Sequence, residues 1–239
     1  MDNEFFVISA FVVACLVCVV SLALSFWWLP KKMESAYQNA LRTLATAVET
    51  KDSRTLGHAE RVAEMVSAIC SELQLDAETI KYARYGALLR DIGKVAVPHR
   101  ILNKQEPLTE GELRVVHNHA EQGAQIVSQI PFLAPLKEIM LHHHERWDGS
   151  GYPSGLKSEE IPLSSRIIGV VDDYEAMISE RPYHLPMSET TARAVIKNGA
   201  WTKYDPLVVQ AFLKVADDLQ LNELQEAASE TSAQSLAPA

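Results

Sequence analysis

His58, Asp91, His119, the run His142-His143-His144 and Asp172 are the side chains of this sequence best equipped to hold a metal ion. Imidazole and carboxylate together suit iron, manganese or zinc, and a dinuclear centre needs a carboxylate to bridge its two ions. These residues recur at intervals of roughly one helical hairpin, so helices of a single bundle can bring them to a common centre. Taken singly, each has a plainer reading. An isolated histidine is more often a surface or satisfied core residue, and His99, His117 and His184 fall in that class. His117 precedes His119 by two positions and would point elsewhere on a helix. Asp91 alone could cap a helix or pair with Lys94. The run His142-His143-His144 is harder to dismiss, because a helix cannot turn three consecutive side chains into one core.

The elements that would position these groups read as helices. The chain has 239 residues, 47% of them hydrophobic, enough for one substantial domain and an accessory segment. The formal charge of -9 is spread along the chain, which weighs against a nucleic-acid polymer as partner but not against a small anion held by local cations. Phe5 to Leu29 carries no charge, and roughly 20 apolar residues suffice to span a bilayer. A cleaved signal peptide would have a basic start and an apolar core of roughly 7–15 residues, whereas this chain starts MDNE and its apolar run is longer. Lys31 and Lys32 follow at once, which predicts that the remainder lies in the cytoplasm. Cys15 and Cys18 fall inside the apolar run and Cys70 on an apolar helix face, so all three read as packing.

Beyond Met33 the apolar period is helical. Asp76 is a candidate N-cap, and Thr109 to Glu112 has capping-box spacing ahead of a helix expected through Val127. Further helices are expected over Phe132–Glu145, Leu163–Ile178, Ser188–Asn198 and Pro206–Leu219. No segment alternates as a buried strand would. The reading is all-α, with an N-terminal transmembrane anchor at 1–32, a lead-in helix at 33–50, a helical body at 44–220 and a disordered tail at 221–239.

The blocks TLGHAERV, DIGK, HAEQG, HHERWDGSGYP, SSRII and VVDDYEAM with RPYH resemble, in order and spacing, the HD-GYP family. That family belongs to the HD superfamily of metal-dependent phosphohydrolases. The resemblance runs from about Leu44 to Phe212, and HHERWDGSGYP is its most specific block. It implies an all-helical bundle with two or three metal ions, usually iron or manganese, that hydrolyses cyclic di-GMP to the linear dinucleotide or to GMP. By position it makes His58 the first His ligand, Asp91 the bridging carboxylate, His119, His143 and His144 the later ligands, and Asp172 the closing one. Lys94 matches the lysine that contacts substrate phosphate and assists the leaving group, so Asp91 and Lys94 are the expected catalytic pair. Gly151, Tyr152 and Pro153 form the namesake loop, linked in the family to partner recognition. The trinuclear members have a Glu four residues before the first His. Arg54 stands there in this chain, so a third ion is not expected.

Arg90 departs from the pattern, because the family has His before the Asp. A guanidinium has no free lone pair and stays protonated, so it cannot ligate a metal. At about 4 Å and an effective dielectric near 20, a unit positive charge repels a divalent ion by roughly 8 kcal/mol before relaxation. The expectation is a phosphodiesterase with one or two ions and a weakened first metal position. The alternative is a catalytically silent module in which Arg90 grips phosphate and binds cyclic di-GMP or a protein. Arg146, Arg166 and Arg181 are candidate phosphate or guanine contacts alongside Lys94 and Arg90, and surface ion pairing is their plainer account. Expected partners are cyclic di-GMP, a GGDEF-type protein, the bacterial inner membrane and a second copy of this chain. No room is expected for a conventional sensory domain between Lys32 and the helical body.

Overall fold

A computed structural model describes residues 2–51, 57–179 and 185–219 of the chain. The expected tail at 221–239, and Arg54 and Arg181, lie outside the described residues. The chain divides into two units, residues 1–43 and 44–239. The first is helical. α1 (Asp2–Ala23) passes through a π-helical turn (Leu24–Trp28) into α2 (Leu29–Lys51). The π turn lies just ahead of Pro30, whose missing N–H removes a donor from the ladder. Phe6–Lys51 is one helix long and apolar enough to cross a membrane. Its apolar side chains point outward, with Phe11 70% and Trp27 72% exposed. Lys32 Nζ sits 4.5 Å over the Trp28 ring.

The second unit is an all-helical bundle, with no strand among the described residues. α3 (His58–Glu72) buries Val62, Ala63, Val66, Ile69 and Cys70, the spacing of one helix face. It packs against α4 (Ala77–Leu89) and α9 (Leu163–Ile178). Asp76 caps α4 as expected, its side chain accepting from the Glu78 and Thr79 amides at 3.0 Å. A 3-10 turn (Ile92–Ala96) and the short α5 (His99–Leu102) lead to α6 (Glu110–His117), which carries the expected Thr109–Glu112 capping box. α7 (His119–Ser128) and α8 (Lys137–His142) follow, and α10 (Glu189–Asn198) and α11 (residues 206–219) close the bundle. Tyr174 on α9 meets Phe212 on α11 edge to face, ring centroids 4.9 Å apart.

Two expected helices differ in outline. The stretch through Val127 breaks at Asn118, where one helix ends and the next begins. The stretch from Phe132 begins as a 3-10 turn (Pro131–Leu136), since Pro131 and Pro135 donate no amide, and its α-helix stops at His142.

Two close approaches set the geometry of the centre. A side chain at Gly86 on α4 would meet Ile139 Cγ2 of α8 at 2.6 Å. One at Gly93 would meet the His119 carbonyl oxygen at 1.9 Å and the Gly123 amide nitrogen at 2.6 Å. The 3-10 turn after Asp91 therefore lies directly on α7, backbone to backbone. Gly93→Ala should destabilise the fold by at least the roughly 1–3 kcal/mol typical of overpacking, read as a lower denaturation midpoint of the full chain. An unchanged midpoint would contradict the contact.

Candidate metal centre

The bundle turns the ring nitrogens of His119, His143 and His144 toward one point, all within 4.8 Å of one another. His119 opens α7, and His143 and His144 follow the end of α8, so the packing of these two helices makes the cluster. The tautomers follow from the backbone. His119 Nδ1 lies 2.7 Å from the Val116 carbonyl and His143 Nδ1 lies 2.7 Å from the Met140 carbonyl. A carbonyl only accepts, so each Nδ1 carries the proton and each Nε2 presents a lone pair. Those two Nε2 atoms are 3.4 Å apart, and His144 Nε2 is 3.2 Å from that of His119. Burial, then the neighbouring His119, pushes His143 down to about 4, and burial, then His143 and His119, holds His144 well below the ordinary value. Neutral imidazoles with lone pairs converging in a buried place fit a divalent cation. The backbone carbonyls supply the outer contacts that orient such ligands. Asp91 Oδ1, 3.8 Å from His119 Nε2, borders the cluster.

The other half of the expected centre is arranged around Arg90, which is 1% exposed. Arg90 Nε donates to Asp172 Oδ1 at 2.7 Å and Nη1 donates to the Ala87 carbonyl at 2.8 Å. Nη2 also lies 2.7 Å from Asp172 Oδ1, off hydrogen-bond geometry, and 3.7 Å from Asp91 Oδ2. The guanidinium thus stands between the two carboxylates. His58 Nε2, buried and without a hydrogen bond, is 3.4 Å from the same Asp172 oxygen. His58 Nδ1 is 3.7 Å from Glu175 Oε2, which also accepts from Arg61 Nε at 3.0 Å. Burial alone would raise Glu175, but His58 and Arg61 outweigh it and hold this carboxyl low. His58, Asp172 and Asp91 are thereby gathered as expected, around a group that offers no ligand atom.

Lys94 is buried, its Nζ 2.9 Å from Asp91 Oδ1. His142 turns the other way, with Nε2 3.3 Å from Glu138 and Nδ1 3.6 Å from Glu145. The Gly151-Tyr152-Pro153 loop closes one side of a cleft of about 310 Å³ that reaches His143, His144 and Asp172. Buried Glu145 holds this loop, accepting from the Ser154 amide at 2.7 Å and the Gly155 amide at 3.1 Å. Gly151 is required by close packing, since a Cβ there would meet the Arg146 amide nitrogen at 2.4 Å. Arg146 and Arg166 both line the cleft. Arg166 is engaged: it pairs with buried Asp205, donates from Nε to the Ile161 carbonyl at 2.9 Å and lies 5.7 Å from the Trp147 ring centroid.

Several contributors escaped the sequence reading. His117, assigned there to the plain surface or core histidines, lines the cleft and stacks on Tyr152 at 3.8 Å, because the helix break at Asn118 undoes the two-residue offset from His119. Lys203, Tyr204 and Asp173 also line the cleft; Lys203 and Tyr204 fall in no motif block, and Asp173 sits in VVDDYEAM beside Asp172 without a role assigned to it. The end of α2 grips both arms of the centre. Glu49 accepts from the Gly57 and Ala59 amides that flank His58, while Lys51 Nζ donates to the carbonyls of Lys94, Val95 and Val97 at 2.7–3.1 Å.

An all-helical bundle gathering histidines and aspartates from separate helices defines the HD type of fold. The family profile described as HD domain matches residues 42–208. The chain belongs to the HD domain family, a family that implies a divalent metal. It is 40% identical over 181 residues to a cyclic di-GMP phosphodiesterase of Thermotoga maritima, covering 75% of this chain and 49% of that protein. It is 36% identical to the cyclic di-GMP phosphodiesterase response regulator RpfG of Xanthomonas campestris pv. campestris, covering 77% of this chain and 49% of that one. The chain thus spans about half the length of these relatives. A solved cyclic GMP-AMP specific phosphodiesterase of V. cholerae, V-cGAP3, shares the fold with a TM-score of 0.62 at 18% identity, over 83% of this chain and 53% of that one.

The folded centre disfavours protonated histidine, so between about 4 and the ordinary 6.5 the unfolded chain binds more protons than the folded one. Stability present above pH 6.5 should be lost as pH falls through that window. Thermal melts of the metal-free chain from pH 7.5 to 4 check this, with manganese affinity falling over the same range. A melting temperature that stays level or rises on acidification would contradict it.

Proposed function

We propose that the chain is a membrane-anchored, metal-dependent phosphodiesterase that hydrolyses cyclic di-GMP with a weakened first metal position. The observation that carries this reading is the convergence of the His119, His143 and His144 ring nitrogens beside Asp91, at the end of an open cleft. The likeness to cyclic di-GMP phosphodiesterases over three quarters of the chain supports the substrate. His119, His143, His144 and Asp91 would hold one divalent ion, iron or manganese by the family's habit. Such an ion supplies Lewis-acid polarisation of the phosphoryl oxygens and an activated water near neutral pH.

The chain's own residues do the rest. Lys94, ion-paired with Asp91, would steady the departing 3′-oxygen. Arg146, exposed at the cleft, would meet the second phosphate. Arg90 supplies a fixed positive charge between Asp172 and Asp91, where the family has a metal ligand. A guanidinium neutralises carboxylates but activates no water, which is why the first position is weakened. The Gly151–Pro153 loop presents the surface for a GGDEF-type partner, and the lead-in helix one for a second copy. The apolar helix Phe6–Lys51, with outward side chains and Lys31 and Lys32 close behind its apolar run, supports an inner-membrane anchor with the body in the cytoplasm.

One observation favours a second reading, a silent cyclic di-GMP-binding module: Arg90 is wholly buried on Asp172 rather than swung aside. Cleavage assays separate the two. Purified anaerobically with Fe(II) or Mn(II), the full chain should cleave cyclic di-GMP slowly. Arg90→His should raise the rate on the order of 10- to 100-fold, the scale on which ligand-shell changes act, and Asp91→Ala should abolish it. Tight binding without cleavage, unchanged by Arg90→His, would replace the enzyme reading with the silent one.

A further inference from the structure

The cleft beside the histidines holds one carboxylate that neither the metal centre nor the motif loop accounts for. Asp173 follows Asp172 on α9, lines the cleft and keeps its side chain 37% exposed. The other acidic groups there are committed: Asp172 to Arg90, Asp205 to Arg166, and Glu145 to the Ser154 and Gly155 amides. Asp173 is held from one side. The Tyr204 hydroxyl donates to Oδ2 at 3.0 Å and Lys203 Nζ lies 2.8 Å from the same oxygen. Burial, then the charge of Asp173, pushes the Tyr204 phenol up, so it remains a proton donor. Both contacts load Oδ2, and among the described residues Oδ1 has no partner.

A carboxylate is a poor neighbour for a phosphodiester, and Lys203 offsets that charge. What a fixed carboxylate does well is accept from paired N–H donors. The Watson–Crick edge of guanine offers two, N1–H and the N2 amine, while adenine presents a lone pair at N1 that would face the oxygen. We infer that Asp173 reads the base, selecting guanine over adenine in one half of a cyclic dinucleotide, with Tyr204 and Lys203 as positioning residues. The inference rests on the cyclic-dinucleotide reading above and names its specificity. The cleft of about 310 Å³ lies at the lower end of small-molecule sites, roughly 300–1,000 Å³, a space suited to one nucleotide half. A single reader distinguishes a single base. The chain therefore accepts cyclic di-GMP and 3′3′-cGAMP and discriminates against cyclic di-AMP.

The test is calorimetric binding of cleavage-resistant phosphorothioate forms of these three dinucleotides to the full chain in detergent micelles with manganese. Wild type should bind both guanine-containing ligands about 10- to 100-fold more tightly than cyclic di-AMP, the range one good bidentate contact provides. Asp173→Asn keeps the shape and should bring the three affinities within about threefold, chiefly by weakening the guanine ligands. Tyr204→Phe should lose part of the preference, and it carries the test if Asp173→Asn does not fold. Equal wild-type affinity for all three, or an Asp173→Asn variant that weakens all three alike, overturns the base assignment and leaves the phosphodiesterase reading standing. A wild type that binds none of them overturns both.

Discussion

Asp91 and Asp172 are brought into one half-buried centre, and two carboxylates held this close and partly desolvated favour a positive charge between them. In this chain that charge is covalent. The Arg90 guanidinium lies 2.7 Å from Asp172 and 3.7 Å from Asp91, and its side chain is closed to solvent. Everything else in the centre is arranged in relation to that contact. His58 faces the same Asp172 oxygen, Lys94 pairs with the far side of Asp91, and the three converging imidazoles lie beyond it. The result is a row of alternating charge that ends in a cluster of three imidazoles. The three imidazoles at that end could hold a divalent ion.

The bundle holds this row by backbone contact more than by side-chain reach. Gly93 lets the turn after Asp91 rest on the His119 carbonyl, and Gly86 lets α4 approach α8. Carbonyls of Val116 and Met140 settle which imidazole nitrogens face the centre. Glu49 and Lys51 bind the last turn of α2 to the start of α3 and to the Lys94 turn. Because the first is a buried carboxylate on amides and the second an ammonium on three carbonyls, both are costly to break.

Much of this was legible in the residues alone. Leu163–Ile178 was read to the residue, since its apolar period and the Pro162 ahead of it leave little freedom. Asp76 and Thr109 announced their helices because capping is local chemistry. The candidate ligands came from residue type and from a family pattern distributed across six blocks, and the structure brings His119, His143 and His144 together. What escaped depends on tertiary approach. A break at Asn118 turns His117 back toward the cleft, and no helical period foretells a break that neither proline nor glycine marks. Lys203 and Tyr204 reach Asp173 from 30 residues away or more in sequence, with only an irregular turn between α10 and α11 to place them. The direction taken by Arg90 was equally open, because arginine can snorkel; packing against Ala87 and Asp172 decided it inward.

On the proposed reading the Arg90 guanidinium stands where the resembled family binds a second cation. Counting and locating bound metal tests it most directly, by elemental analysis of protein saturated with manganese under anaerobic conditions together with anomalous scattering from its crystals. One ion per chain, ligated by His119, His143 and His144, is the expected result. A second ion lodged between His58 and Asp172 in the unaltered protein, with Arg90 turned out to solvent, would contradict the account.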